Sequence, residues 1–324
     1  MPAHLDLTTL ALALVLTGAM GFAVQRGATC TVAAVDEVVS LARCTRLLSM
    51  IEASLWVAGG LALALTLQLT TFTPSGNALS WRIVLGGALL GSGAYINKGC
   101  VFGAIARLSN GELAYLATPL GYFIGCRAVH GLALPHTTAT FDSPLFVSPG
   151  VAAGVIAVFL FMRVGRALWR RRTLALRALA AKIWEPHAAT SVIGICFIVL
   201  LVLVGGSWAY TDVLDEFARG QVMPLDWRVG LLLALYGGGL LGGYTAGRLQ
   251  GARFRPAQAL ACLAGGILMG LGSLLIPGSN DGLILLGMPL LLPHAWLAFG
   301  TMFLTIAILM QGQRIAAWWR VRPA

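Results

Sequence analysis

Apolar stretches of roughly 20 residues, the length that spans a bilayer, recur along this 324-residue chain with almost no charge inside them. Nine segments approach that requirement: 7–25, 48–70, 82–98, 111–131, 149–168, 190–207, 228–247, 256–276 and 294–312. Only 10% of the residues are charged against 58% apolar, whereas a soluble domain carries about 25% charged residues. One soluble core cannot absorb that much apolar surface, because cores stop growing near roughly 250–300 residues and still need a charged shell. The expected fold is therefore an all-α integral membrane protein of about nine transmembrane helices. Segment 7–25 has no Lys or Arg ahead of it, so it lacks the basic region of a secretory signal and reads as a retained span.

The charges set the topology. Net charge is +10, but the basic residues fall in short runs between apolar stretches, which marks orientation rather than nucleic-acid binding. Arg163, Arg166, Arg170, Arg171, Arg172, Arg177 and Lys182 lie together with no acid among them, so the positive-inside rule makes that connector cytoplasmic. Counting outward places Arg43, Arg46, Arg248, Arg253, Arg255, Arg314, Arg320 and Arg322 inside and the N-terminus outside. The net-acidic stretch Thr211 to Asp226 then reads as an outward-facing loop, and Trp318-Trp319-Arg320 as an interfacial anchor.

An internal repeat runs through this pattern. At a constant offset of 179 residues, Gly86, Gly87, Gly91, Gly93, Gly99, Gly103 and Gly121 align without a gap on Gly265, Gly266, Gly270, Gly272, Gly278, Gly282 and Gly300. The first copy starts in a span that runs inward and the second in one that runs outward, so the copies are inverted. Inverted repeats are typical of secondary transporters, with the substrate near the midplane. The expected organisation is an N-terminal membrane half (1–162), a basic cytoplasmic connector (163–189) and a C-terminal membrane half (190–324). Each copy contains a break, Asn97-Lys98-Gly99-Cys100 and Pro277-Gly278-Ser279-Asn280-Asp281, that reads as a re-entrant helix; backbone freed in this way must be satisfied by protein or by a water-filled cavity. A third break, Gln25-Arg26-Gly27-Ala28-Thr29-Cys30, has a looser counterpart in Gly247 to Arg255.

The breaks carry the chemistry. Cys30 and Cys100 each follow a glycine-containing break with a cation nearby, Arg26 and Lys98 respectively. A helix starting at such a break exposes N–H groups that favour an anion, and a neutral thiol beside it is a weak, soft donor. A thiolate would repel a dianion. Cys44, Cys126, Cys196 and Cys262 lie in or beside plain apolar runs and read as small buried hydrophobes. Lys98 reads equally as a functional cation or as one that snorkels to the interface. Arg107 and Glu112 bracket a turn and could pair there. The six cysteines contain no CxxC pair, the histidines show no metal-ligand spacing, and no nucleotide or hydrolase motif is present, so no cofactor, metal or enzyme motif is expected.

These same residues resemble the signatures of the YeeE/YedE-type sulfur transport membrane proteins. Gly18 to Cys30, ending Arg26-Gly27-Ala28-Thr29-Cys30 and followed by Asp36, is similar to the first signature. Gly91-Ser92-Gly93 with Gly99-Cys100-Val101-Phe102-Gly103 and Arg107 resembles the second, and Gly266 to Gly272 with Gly278-Ser279-Asn280-Asp281-Gly282 the third. The resemblance implies an hourglass of nine spans and several short helices in a bacterial cytoplasmic membrane. It also implies transport of a thiosulfate-like anion along S–H contacts, and a small cytoplasmic sulfur-carrier protein as a partner. Carried over by position, the substrate-binding set is Cys30, Cys100, Ser279 and Asn280 with Arg26, Lys98 and Arg107. Ser279 stands where the family has a cysteine, so another sulfur oxyanion, a selenium compound or a different small anion stays open beside thiosulfate. A membrane thiol oxidoreductase and a non-transporting subunit of a sulfur-handling complex are the alternatives from other classes.

Overall fold

Asp6 begins the first helix by accepting the Thr9 N–H at 3.2 Å, a side-chain N-cap of the usual kind, and a left-handed residue, Ala28 (φ 47°), ends it. The computed structural model describes residues 6–131, 140–147, 150, 154, 156–159, 161, 163, 165, 181–221, 226–249, 251–276 and 278–321. Among the described residues, besides a single turn at Pro144–Val147, the helices in chain order are α1 (Leu7–Gly27), α2 (Thr31–Leu41), α3 (Thr45–Thr66), α4 (Trp81–Asn97), α5 (Val101–Leu108), α6 (Ala117–Gly131), α7 (Pro186–Val204), α8 (Tyr210–Ala218), α9 (Trp227–Thr245), α10 (Pro256–Leu275), α11 (Asn280–Gly282) and α12 (Pro293–Val321). A 3₁₀ turn (Leu113–Leu116) precedes α6, and a π turn (Leu283–Gly287) continues α11. The strand content among the described residues is one antiparallel pair, Gly76–Asn77 with Thr140–Phe141.

Five of the helices among the described residues are long and apolar enough to cross a membrane. The protein is a multi-pass helical membrane protein. Its outer surface carries Val15, Leu233, Leu260, Leu304 and Ile308, each more than half exposed, as a bundle bathed in lipid requires. Segments 82–98, 111–131 and 228–247 are helical as expected, being α4, the 3₁₀ turn with α6, and α9. Much of segment 149–168, and of the connector including Arg166, Arg170, Arg171, Arg172 and Arg177, lies outside the described residues, as do His4, His136, Pro277 and Arg322.

Two expectations change. Thr211 to Asp226 is not simply a loop: Tyr210–Ala218 is helical and buries Tyr210, Thr211, Val213, Leu214 and Asp215. Three of the acids, Asp212, Asp215 and Glu216, lie on this amphipathic helix, where Asp215 is buried against His130 and Arg219, and Asp226 caps α9; a count of charges along the chain does not separate the faces. Likewise, 247–249 and 251–255 belong to the mostly exposed connection between α9 and α10 rather than to a re-entrant break.

The helices pair with small residues at the seams. α1 lies along α9 and α7, α3 along α7, α4 along α10 and α12, and α6 along α10 and α8. At the α4–α10 seam a Cβ on Gly93 would stand 2.5 Å from the Gly265 carbonyl oxygen, and one on Gly86 2.7 Å from that of Gly272. Small residues let backbones approach this closely, and dispersion then substitutes for the hydrophobic effect that lipid does not supply. Gly300 on α12 has nothing within 4 Å of such a Cβ. Gly93→Ala should therefore destabilise the folded protein by about 1–3 kcal/mol, the usual cost of overpacking. Gly300→Ala should leave it unchanged or gain up to about 1 kcal/mol from helix propensity. Thermal unfolding of both variants in mild detergent checks the contrast.

Candidate functional site

Helix breaks bring the chemistry together. α1 ends at the left-handed Ala28, α4 at the left-handed Lys98 (φ 58°), and the chain passes Gly278 (φ 149°) before α11. Each break then turns into extended backbone at one residue that starts the next helix: Cys30 before α2, Cys100 before α5 and Ser279 before α11. A fourth break was not legible as such in the sequence. α7 ends at the left-handed Gly205, and Ala209, extended, starts α8. The signal available was the Gly205-Gly206 pair at the end of an apolar span followed by Trp208-Ala209-Tyr210.

Cys30 and Cys100, 70 residues apart, meet. The Cys100 N–H donates to Cys30 Sγ at 3.4 Å, and the Thr31 N–H donates to Cys100 Sγ at 3.3 Å. Each thiol thus accepts a first-turn N–H from the helix that the other begins, so two of the unpaired donors that every helix start exposes are satisfied by sulfur. Gly103 makes room for the arrangement, since a Cβ there would stand 2.5 Å from Cys30 Sγ. All six cysteines are free.

The second half contributes oxygen. Thr31 Oγ1 donates to Asn280 Oδ1 at 2.9 Å, which joins the thiol pair to α11. Asn280 Nδ2 is buried with no partner among the described residues, a donor whose desolvation is uncompensated. Thr211 Oγ1 lies 2.7 Å from both Ser279 Oγ and Asp281 Oδ1, and Ser279 Oγ also donates to Asp281 Oδ1. Tyr210 OH donates to the Val101 carbonyl at 3.1 Å. Thr31, Tyr210, Thr211 and Asp281 are the members of this cluster that sequence reasoning did not select.

A cavity of about 760 Å³ leads to Cys30 and is lined by Lys98, Arg107, Arg46, Arg314, Asp36 and Glu112 among others. Arg107 pairs with Glu112 at 3.5 Å, Arg314 with Asp36 at 3.2 Å, and Arg46 with Glu37 at 3.7 Å. Lys98 is exposed in this cavity and has no ion-pair partner among the described residues. Cys30 stands at the inner end, 8% exposed, while Cys100 behind it is fully buried.

Not every residue expected at the site is there. The Arg26 guanidinium turns into the seam between helices, donating to the Ala181 carbonyl at 2.6 Å and to Thr245 Oγ1 at 2.7 Å and lying over the Phe22 ring at 4.8 Å. It is absent from the cavity lining. Cys44, read as buried, is exposed, because it precedes α3 at a surface turn instead of lying within the helix. Cys126, Cys196 and Cys262 are buried as expected. Among the described residues no group of His, Cys, Asp or Glu has the disposition of a metal site.

Brief maleimide treatment in mild detergent, read by peptide mass spectrometry, should modify Cys44 first. Cys30, at the cavity, should follow ahead of Cys100.

Comparison with known proteins gives one result. A family model described as sulphur transport matches residues 26–308, which takes in all four breaks. A search of curated proteins finds no match.

Proposed function

Because this chain belongs to the YeeE/YedE sulphur transport family, we propose that it moves a thiosulfate-like sulfur anion through a cytoplasmic membrane, with Cys30 and Cys100 as neutral contact thiols. The observation that carries the reading is the meeting of these two thiols at the inner end of a cation-lined cavity. A transport site must not hold its ligand too tightly. Lys98 and the half-neutralised Arg107 attract the anion into the cavity without trapping it. The thiols then offer shallow S–H contacts, and Asn280 Nδ2 and Ser279 form the next stop. No covalent chemistry is needed, so the protein is read as a carrier or channel, not an enzyme.

Nine spans in two inverted halves are the architecture this function calls for, and helix pairing supports it. Shifting every residue by 179 maps Gly86 onto Gly265 and Gly93 onto Gly272. The Gly86–Gly272 contact then becomes the Gly265–Gly93 contact, the exchange of partners that a twofold axis between α4 and α10 produces. Pairings also exchange in register: α1 with α9 against α7 with α3, α4 with α12 against α10 with α6, and α2 with α12 against α8 with α6. We place the halves at 1–162 and 190–324, joined by the cytoplasmic connector 163–189, with the N-terminus outside and the C-terminus inside. The cavity, which holds Arg46 and Arg314, then opens to the cytoplasm, where a small sulfur-carrier protein would collect the anion. Closeness of the two thiols also suits a redox pair, and trapping a mixed disulfide with a partner protein would favour that second reading.

In liposomes containing only this protein, Cys100→Ala should reduce labelled thiosulfate flux at least about tenfold, the effect of losing roughly 1.4 kcal/mol at the limiting step. Cys196→Ala should stay within about twofold of the parent. Equal losses in both would mean that the thiols act through folding, and sulfite, sulfate and selenite tested in parallel assign the anion.

A further inference from the structure

Three arginines of the α9–α10 connection line one cavity. It measures about 360 Å³ and is bounded by Arg248, Arg253, Arg255 and Gln258 together with Asn110 and Glu112. The Arg253 N–H donates to the Gly111 carbonyl at 2.9 Å and the Leu113 N–H to the Arg253 carbonyl at 3.1 Å, so the connection is pinned to the turn that follows α5. Lys182 adds a further cation, its Nζ 4.0 Å from where a Cβ on Gly247 would stand. Arg26, in its helix seam, is near enough to feel the charge of Arg248.

The protein's own acids do not neutralise this group. All 12 Asp and Glu residues of the chain lie among the described residues, and the arginines they pair with there are Arg46, Arg107, Arg163, Arg219, Arg228 and Arg314. Arg248, Arg253, Arg255 and Lys182 are not among them. Glu112, the acid in the described lining, already holds Arg107 at 3.5 Å. The start of α10, which has no side-chain cap, adds the partial positive charge of a helix N-terminus. Guanidinium groups gathered in this way suit a phosphate, whose oxygens accept their paired N–H groups.

The apolar residues around the cavity select the source of that phosphate. α10 is long and apolar enough to cross the membrane, so the connection that enters it stands at the bilayer surface whichever way the protein is oriented. Leu249, Phe254 and Leu260, next to the lining residues in the chain, are exposed. A soluble anion engages the arginines alone, whereas a phospholipid also lays its acyl chains on these apolar side chains. We propose that this cavity holds the phosphate of an anionic phospholipid, with Arg248, Arg253 and Arg255 as its ligands. The inference stands apart from the transport reading and from the choice of cytoplasmic face. Asn110 and Glu112 line the larger cavity as well, so the bound phosphate occupies arginines that otherwise compete with Arg107 for Glu112.

Native mass spectrometry of the full chain, released from micelles containing phosphatidylglycerol and phosphatidylethanolamine in equal amounts, tests the proposal. The parent should retain phosphatidylglycerol at least about tenfold over phosphatidylethanolamine, and the triple variant Arg248→Gln, Arg253→Gln, Arg255→Gln should hold the two within about twofold of each other. Arg43→Gln removes an exposed arginine that does not line this cavity and should keep the parent's preference. Equal retention of both lipids by the parent overturns the proposal, as does a loss in Arg43→Gln that matches the triple variant. Excess inorganic phosphate or thiosulfate that strips phosphatidylglycerol from the parent assigns the cavity to a soluble anion and overturns the lipid. Where the triple variant does not fold, the parent alone decides. Phosphatidylglycerol carrying a photoreactive diazirine at its headgroup should label peptides within 244–260 ahead of the rest of the chain, and labelling spread evenly over the protein overturns the site.

Discussion

A helix interrupted inside a bilayer leaves N–H and C=O groups that water cannot reach, and every feature of the site follows from how those groups are satisfied. On the carbonyl side, the left-handed Ala28 and Lys98 fold their N–H groups back onto the last turns of α1 and α4. Holding a non-glycine residue there costs about 1–2 kcal/mol each, less than leaving buried carbonyls unpaired. On the amide side, Cys30 and Cys100 exchange partners, each sulfur accepting an N–H at the start of the other's helix. The thiols therefore have a structural role: they stitch two helix starts together, at a point where helix dipoles would favour an anion.

Electrostatics divides the path into unlike parts. The cavity side holds Arg46, Lys98, Arg107 and Arg314, most of them partly neutralised by Glu37, Glu112 and Asp36. Exposed pairs of this kind contribute little to stability, but they leave a mildly positive vestibule that raises the local concentration of anions without deep binding. Past the thiols the groups are hydroxyls, an amide and one carboxyl, with no cation paired to them among the described residues. On the proposed transport reading, the drop from charged vestibule to neutral contacts would let an anion enter and also leave.

How much of this was legible in the sequence depended on what each signal measures. Glycines in register were read as an internal repeat, and the structure puts Gly86, Gly93, Gly265 and Gly272 at the α4–α10 seam, where close backbone approach excludes any Cβ and so appears directly as residue identity. The breaks at 97–100 and 278–281 were readable for a different reason, the backbone turning to positive φ at Lys98 and at Gly278, beside or at a glycine. α8 was not, because its apolar buried residues alternate with its acids along the chain, and Asp215 is itself buried and paired with His130 and Arg219, which linear charge counting does not reveal. Arg26 follows the motif of the first break but points into a helix seam, and spacing alone cannot give side-chain direction. Thr31 and Thr211 carry no sequence signal of their own; they matter only because four breaks converge.

Ser279 is the position where the convergence becomes informative about the ligand. A sulfur contact there would have extended the thiol pair of the first half into the second. With oxygen in its place, Ser279 is drawn into hydrogen bonds with Thr211 and Asp281, and the second half presents hard, directional donors while the first presents soft ones. A uniform anion such as sulfate gains from only one half of such a path. An anion with a polarisable sulfur at one end and charged oxygens at the other matches both, sulfur against Cys30 and Cys100 and oxygens toward Asn280 Nδ2. On the proposed transport reading, the departure from cysteine at residue 279 thus selects for a two-ended substrate.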